Sequence, residues 1–378
     1  MNPGITFSKR GEEAELLRFL DNAFGFDPET NGFLTFLPKL YRKESDPCAH
    51  NLVLRENGKL TAAVGMYPIP LRVLGEPLSC LGIGNVAVDP AARGGGRMGT
   101  LLREALSRAE REGFDFAILG GQRQRYARFG FHPAGDERMF RFTAANLKSL
   151  PPRESVPLTV RSLQPESDAL EPVVALHNAQ PFHAVRSPER FYDILTSWNH
   201  TPGTLWRGDR FAGYFLRKKD EIRELILRDP DDFTDAIRAL LGEEKNLSVI
   251  LNAYDGELIL RAASFAESET LTQFEKFRVF RWIPVLSAAL RLQASVRPLD
   301  DGVLTVRIGE DQPITLSTKG GVPSVRPATP GEPPHVALDE ADAMSFFFGR
   351  ESRIRERLPS VTRWWFPLVL GLRMADHV

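Results

Sequence analysis

Residues 82–133 constrain this chain more than any other stretch, because they prescribe a strand, a glycine-rich turn, a helix and a second strand in that order. Val86-Ala87-Val88 reads as a short apolar strand, and Asp89-Pro90-Ala91-Ala92 leaves it. Arg93-Gly94-Gly95-Gly96-Arg97-Met98-Gly99 forms the turn. Over residues 100–112, Leu101, Leu102, Ala105, Leu106 and Ala109 recur at three- and four-residue spacing among charged residues, which predicts an amphipathic helix. Gly113 stands where a left-handed residue would end it. Residues 114–119 predict the second strand, and Tyr126-Ala127-Arg128-Phe129-Gly130-Phe131 follows.

Glycines just before a helix have no Cβ in the way, so backbone N–H groups can close on an anion at the positive helix end. A pyrophosphate suits such a turn best. Two nucleotide readings each lack a second residue. A P-loop needs Gly-Lys-Ser/Thr, and here Met98 precedes Gly99 with no lysine. The dinucleotide fingerprint is met formally by Gly94, Gly96 and Gly99, but it also needs an acid at the end of the next strand. The only acid there, Asp115, sits at the strand's start. A tight turn without a ligand is the remaining alternative.

Val-x-Val-x-Pro-x-x-Arg-x-x-Gly before an amphipathic helix resembles motif A of the GNAT N-acetyltransferases. The resemblance implies that Val86, Ala87 and Val88 run along the pantetheine arm of acetyl-coenzyme A. Arg93, Gly94, Gly95, Gly96, Arg97, Met98 and Gly99 would then hold its pyrophosphate, with Gly121 and Gln122 completing the coenzyme site. Met98 stands where the superfamily usually has Gly or Ala. The segment at residues 126–131 is similar to the Tyr-x-Arg-Phe-Gly-Tyr of the enhanced intracellular survival acetyltransferases. That subfamily implies an α+β chain with a mixed-sheet GNAT domain over 1–150, a degenerate GNAT-like domain over 151–284 and a sterol-carrier-like α/β domain over 285–378. It also implies ring-like homo-oligomers, amine acceptors that include aminoglycoside-like polyamines, Tyr126 as general acid and the carboxylate of Val378 as base.

The residues themselves allow those roles. A tyrosine with a reference pKa of about 10 stays protonated at neutral pH and can hand its proton to a departing thiolate. Arg128 and Phe129 read as structural ties. A terminal carboxylate, always ionised, would accept a proton from an ammonium over a short hydrogen-bonded path. The apolar Leu368, Val369, Leu370, Leu372 and Met374 argue that this terminus docks, and Asp376 and His377 are alternative bases. A backbone N–H near Val88 is the natural oxyanion donor. Asp21, Phe24, Phe26, Asp27, Glu29, Phe33 and Phe36 are a candidate acceptor wall or an ordinary helix end and loop.

At 378 residues the chain is long enough for two or three domains. Its 48 basic against 49 acidic residues argue against a dedicated nucleic-acid surface. Cys48 and Cys80 sit in no redox or metal motif, and the seven histidines show no ligand spacing, so no metal is expected. Without an apolar run of membrane length or a signal core, a cytoplasmic protein with no membrane partner is expected. Residues 51–64 predict a hairpin turning at Asn57-Gly58, and Pro151-Pro152 a domain boundary. Residues 231–241 predict a helix and 247–254 a strand, with no second glycine-rich loop. Residues 302–308 and 312–319 predict paired strands turning at Gly309-Glu310-Asp311, residues 327–334 an exposed loop, and 339–348 a helix. Trp364, Trp365 and Phe366 are core residues or line a cavity. The rival classes are a lipid-binding or coenzyme-sensing protein and a GNAT-fold transferase of another acyl group.

Overall fold

The computed structural model describes residues 4–150, 156–350, 352–358 and 360–378. Among these, strands form three sheets. The first is mixed and runs β1 (Ile5–Phe7), β2 (Asn51–Glu56), β3 (Lys59–Val73), β4 (Glu76–Val88) and β5 (Phe116–Leu119), then Lys276–Val279 and His132–Pro133. The β2–β3 hairpin turns at Asn57 (φ 52°) and Gly58 (φ 79°), the double left-handed geometry that matches strand twist. β3 and β4 are antiparallel, whereas β4 and β5 are parallel, as the intervening helical crossover requires.

That crossover helix, Arg97–Arg111, starts ahead of the expected residue 100. Gly96 at φ 74° turns the chain directly into the helix as its N-cap, so Arg97, Met98 and Gly99 form the first turn. Leu101, Leu102, Ala105, Leu106 and Ala109 are all buried in one core with Leu52, Val64 and Leu81 from the sheet.

The second sheet orders Ser268–Gln273, Asp136–Thr143, Asn246–Asn252, Glu221–Leu227, Arg210–Lys218, Thr201–Arg207 and Leu158–Ser162. Together the two sheets make tandem GNAT-like folds in a mixed α/β chain. Sheet membership does not follow the expected limits at 150 and 284. Asp136–Thr143 already belongs to the second sheet, and Lys276–Val279 returns to the first. The return covers the open edge of β5, with Phe277 opposite Ile118 and its ring 5.2 Å from that of Phe116. The Pro151-Pro152 boundary lies outside the described residues.

The third sheet runs Val322–Pro327, Ile314–Lys319, Gly302–Ile308 and Val336–Leu338, with helices Trp282–Val296 and Glu340–Phe347 packed into the same core. Leu304 pairs with Leu316 across the expected hairpin. Trp365 is fully buried while Trp364 is 69% exposed. The rings of Phe346, Phe347 and Phe366 lie 5.0–5.7 Å apart, so Trp365 and Phe366 act as core and Trp364 does not. No helix among the described residues is long and apolar enough to cross a membrane.

Candidate active site

A cavity of about 890 Å³ opens at the N-terminus of the motif helix. Val86, Ala87, Val88 and all of residues 93–99 line it. Gly121 and Gln122 do not; they stand at the start of the short helix Arg123–Ala127. Three arginines that sequence reasoning left aside do line it: Arg103 in the second turn of the motif helix, and Arg125 and Arg128 from the following segment. Arg128, read as a structural tie, is therefore available to an anion, although it also lies 5.0 Å from the Phe129 ring. Their spacing from the loop in sequence could not signal this, since the segment folds back only after β5. Arg97 is a brace instead. Its Nε donates to Glu56 at 2.8 Å and its Nη1 to the Ala92 carbonyl at 2.7 Å.

Tyr126 is not on the lining of this cavity but buried in the core with Leu119, Phe129 and Phe131. Its ring would be 3.1 Å from a Cβ at Gly121, so the ring packs closely over that glycine just after β5. Burial raises its pKa above the ordinary tyrosine value, against the opposing effect of Arg125, so the hydroxyl keeps its proton at neutral pH.

β4 and β5 pair at Cys80–Phe116, Leu81–Ala117 and Gly82–Ile118, and then part. Beyond Gly82, β4 keeps β3 on one side only, with a bulge where Asn85 takes φ 35°. Asn85 is held there by side chains: it accepts from Tyr41 Oη at 2.8 Å and donates to Asn51 at 2.8 Å, while Tyr41 and Tyr67 hydroxyls meet at 3.1 Å. Burial pushes the Tyr67 hydroxyl up to about 12.

The end of the chain enters this split. A Cβ on Gly82 would lie 2.4 Å from Val378 Cγ2, and one on Gly84 3.1 Å from the Val378 carbonyl carbon. Residues 82 and 84 are therefore glycines where the tail approaches the strand backbone. Val86 to Val88 lie two to four residues further on, about 7–13 Å at strand rise.

Val378 also lines two smaller cavities. One of about 40 Å³ involves Ile83, Leu119, Gly120 and His377; the other, of about 270 Å³, involves Lys39, His50, Tyr67 and Arg190.

Buried ion pairs fix the tail. Arg373 meets Asp255 at 2.8 Å, and His377 lies 2.6 Å from Glu275 and stacked on Phe274. Arg186 grips Asp376 at 2.8 and 3.0 Å and Glu224 at 2.9 and 3.2 Å. The fully buried Lys39 ammonium donates to the carbonyls of Ala375 and His377, and Trp198 Nε1 donates to the latter at 3.1 Å. Desolvation lowers Lys39 to about 7, opposed by Asp376. The Arg186 guanidinium holds Asp376 at about 2 despite its burial. Asp376 and His377, the alternative bases, are thus committed to Arg186 and Glu275.

The N-terminal acids and aromatics do not form a separate wall. Asp21 accepts from the backbone N–H of Phe33 at 2.8 Å, and Phe24, Phe26, Phe33 and Phe36 pack as a ring cluster that Trp198 extends. Phe24 itself lines the glycine-loop cavity.

Residues 5–134 match the acetyltransferase (GNAT) domain family, which makes this chain an acyltransferase enzyme with a GNAT acetyltransferase domain. Nearly its whole length has the fold of several solved structures. A GCN5-related N-acetyltransferase from Kribbella flavida aligns over 99% of this chain and 98% of its own, at 16% identity and a TM-score of 0.68. A probable N-acyltransferase from Enterococcus faecalis covers 97% of each at 15% identity and a TM-score of 0.68. Eis1 from Mycobacterium abscessus covers 98% of each at 16% identity and a TM-score of 0.65. At those identities the likeness concerns the fold. Among curated proteins, none matches the chain by sequence.

Proposed function

We propose that this enzyme transfers an acetyl group from acetyl-coenzyme A to a small amine by direct attack in a ternary complex, in the manner of the enhanced intracellular survival acetyltransferases. The observation that carries this reading is the split between β4 and β5, where one strand, β4, carries Val86–Val88 on the glycine-loop cavity and meets the half-buried Val378 at Gly84. In this reading a catalytic GNAT unit, a degenerate GNAT-like unit and the four-stranded unit cooperate, the last supplying the tail.

Loop N–H groups with Arg93, Arg103, Arg125 and Arg128 suit the coenzyme's phosphates. The edge of β4 beyond Gly82 has no strand partner on the β5 side, so a backbone N–H near Val88 is free to hold the developing oxyanion. The amine lone pair forms the new C–N bond as the C–S bond breaks. The ammonium proton leaves through the Val378 carboxylate, and the thiolate takes a proton from Tyr126.

Tyr126→Phe tests this. The expected result is a fall in thiol release of about 10²–10⁴-fold, with coenzyme A affinity retained by calorimetry. Unchanged turnover would remove Tyr126 from the mechanism. Gly82→Ala is a second test at the tail. Its Cβ cannot coexist with Val378 Cγ2 at 2.4 Å and also meets Ile69 Cδ1 at 2.9 Å. A tail displaced by about 1 Å should cost roughly a hundredfold in kcat, read in the same assay.

A further inference from the structure

The cavity of about 270 Å³ beside Val378 is distinct from the glycine-loop cavity and, on the reading above, receives the acceptor. It lies below the roughly 300–1,000 Å³ of drug-sized sites, so it takes a small molecule rather than a multi-ring one. Tyr67, Pro68, Ile69 and Val185 make one apolar wall.

The charges around it are uneven in how far they are committed. Asp376, the only side-chain acid on the lining, has both oxygens bonded to Arg186. Arg186 in turn spends its remaining nitrogen on Glu224, so the acids of this cluster are all engaged by the guanidinium. A polycationic acceptor would find no free side-chain carboxylate here.

Arg190 differs. Its Nη2 donates to the Lys39 carbonyl and to Ser45 Oγ, which fixes the guanidinium in place. Its Nε and Nη1 have no partner among the described residues. Of the nearby acids, Asp193 is paired with Arg42 at 2.6 Å, and Glu44 acts only at longer range. A preorganised guanidinium with open N–H donors on a cavity wall is the arrangement that recognises a carboxylate.

We propose that the acceptor is a small amine that also bears a carboxylate, with Arg190 holding the acid and the amine directed at Val378. The proposal rests on the transferase reading and narrows it to zwitterionic acceptors.

The test uses the full chain with acetyl-coenzyme A and a ladder of ω-amino acids of two to five carbons. Each is compared with its own amide, with rates corrected to free amine, and spermidine serves as a polycation. At least one ladder member should exceed its amide in kcat/KM by about tenfold or more, as a charge-assisted pair implies. Arg190→Gln should bring that ratio to near one through a higher KM. Equal rates for acid and amide, or a preference for spermidine, would overturn the proposal while leaving the transferase intact. Coenzyme binding without thiol release for any acceptor would overturn the transferase reading and this proposal with it.

Discussion

Adding a short peptide after Val378 lowers turnover by about 10²–10⁴-fold, the usual contribution of a positioned acid–base group, and leaves coenzyme A binding unchanged. Two consequences of the extension act together. The carboxylate becomes a neutral amide, and the added residues must leave a split in which the Val378 carbonyl carbon already lies 3.1 Å from where a Cβ at Gly84 would be. The glycine-loop cavity is built from other residues, so it should not notice. A protease site that trims the extension back to Val378 separates the two outcomes from a general folding defect, because trimming should restore the rate. Full turnover in the extended protein would dismiss Val378 as the base.

The largest stability effect is expected from Arg186→Met. The Arg186, Glu224 and Asp376 side chains are 1%, 0% and 6% exposed, and Tyr214 Oη also donates to Glu224 at 2.5 Å. Removing the guanidinium leaves two buried carboxylates without the group that both bonds and neutralises them, which costs about 3–5 kcal/mol and should appear as a lower urea midpoint.

The deficit should depend on pH in a defined direction. Asp376 is held at about 2, below its unfolded value, so its contribution is present above about pH 4 and is lost as pH falls toward 2. The gap between wild type and Arg186→Met should therefore be widest near neutrality and narrow on acidification. A pH-independent gap would mean that lost packing, rather than the ion pairs, carries the effect.

These two experiments address the part of the site that was hardest to read in the chain. The strand, glycine turn and helix were legible because each of their determinants lies within about thirty residues. Val86 to Val88, the Gly96 turn and the helix face of Leu102 and Leu106 are joined by backbone geometry alone. Arg103, Arg125 and Arg128 escaped notice because an arginine on a helix face looks the same whether it meets solvent or a cavity.

The exchange of strands between the first two sheets was hidden for a related reason. Lys276–Val279 has no local mark showing that it pairs with β5, over 150 residues earlier, rather than with the preceding strand Ser268–Gln273. Its pairing depends on which apolar edge is left open.

By itself, the sequence determined the strand–turn–helix that suits a pyrophosphate, the position of Tyr126 just after it, and an apolar tail that had to dock. Those follow from periodicity and backbone conformation, which act between near neighbours. Only the tertiary structure decided where the tail docks: in the split beyond Gly82, clamped by Lys39, Arg186 and Glu275. Hydrogen bonds and ion pairs between residues 97 to 338 positions apart leave no periodic trace, and their partners become definite only once burial removes the water that would otherwise serve them.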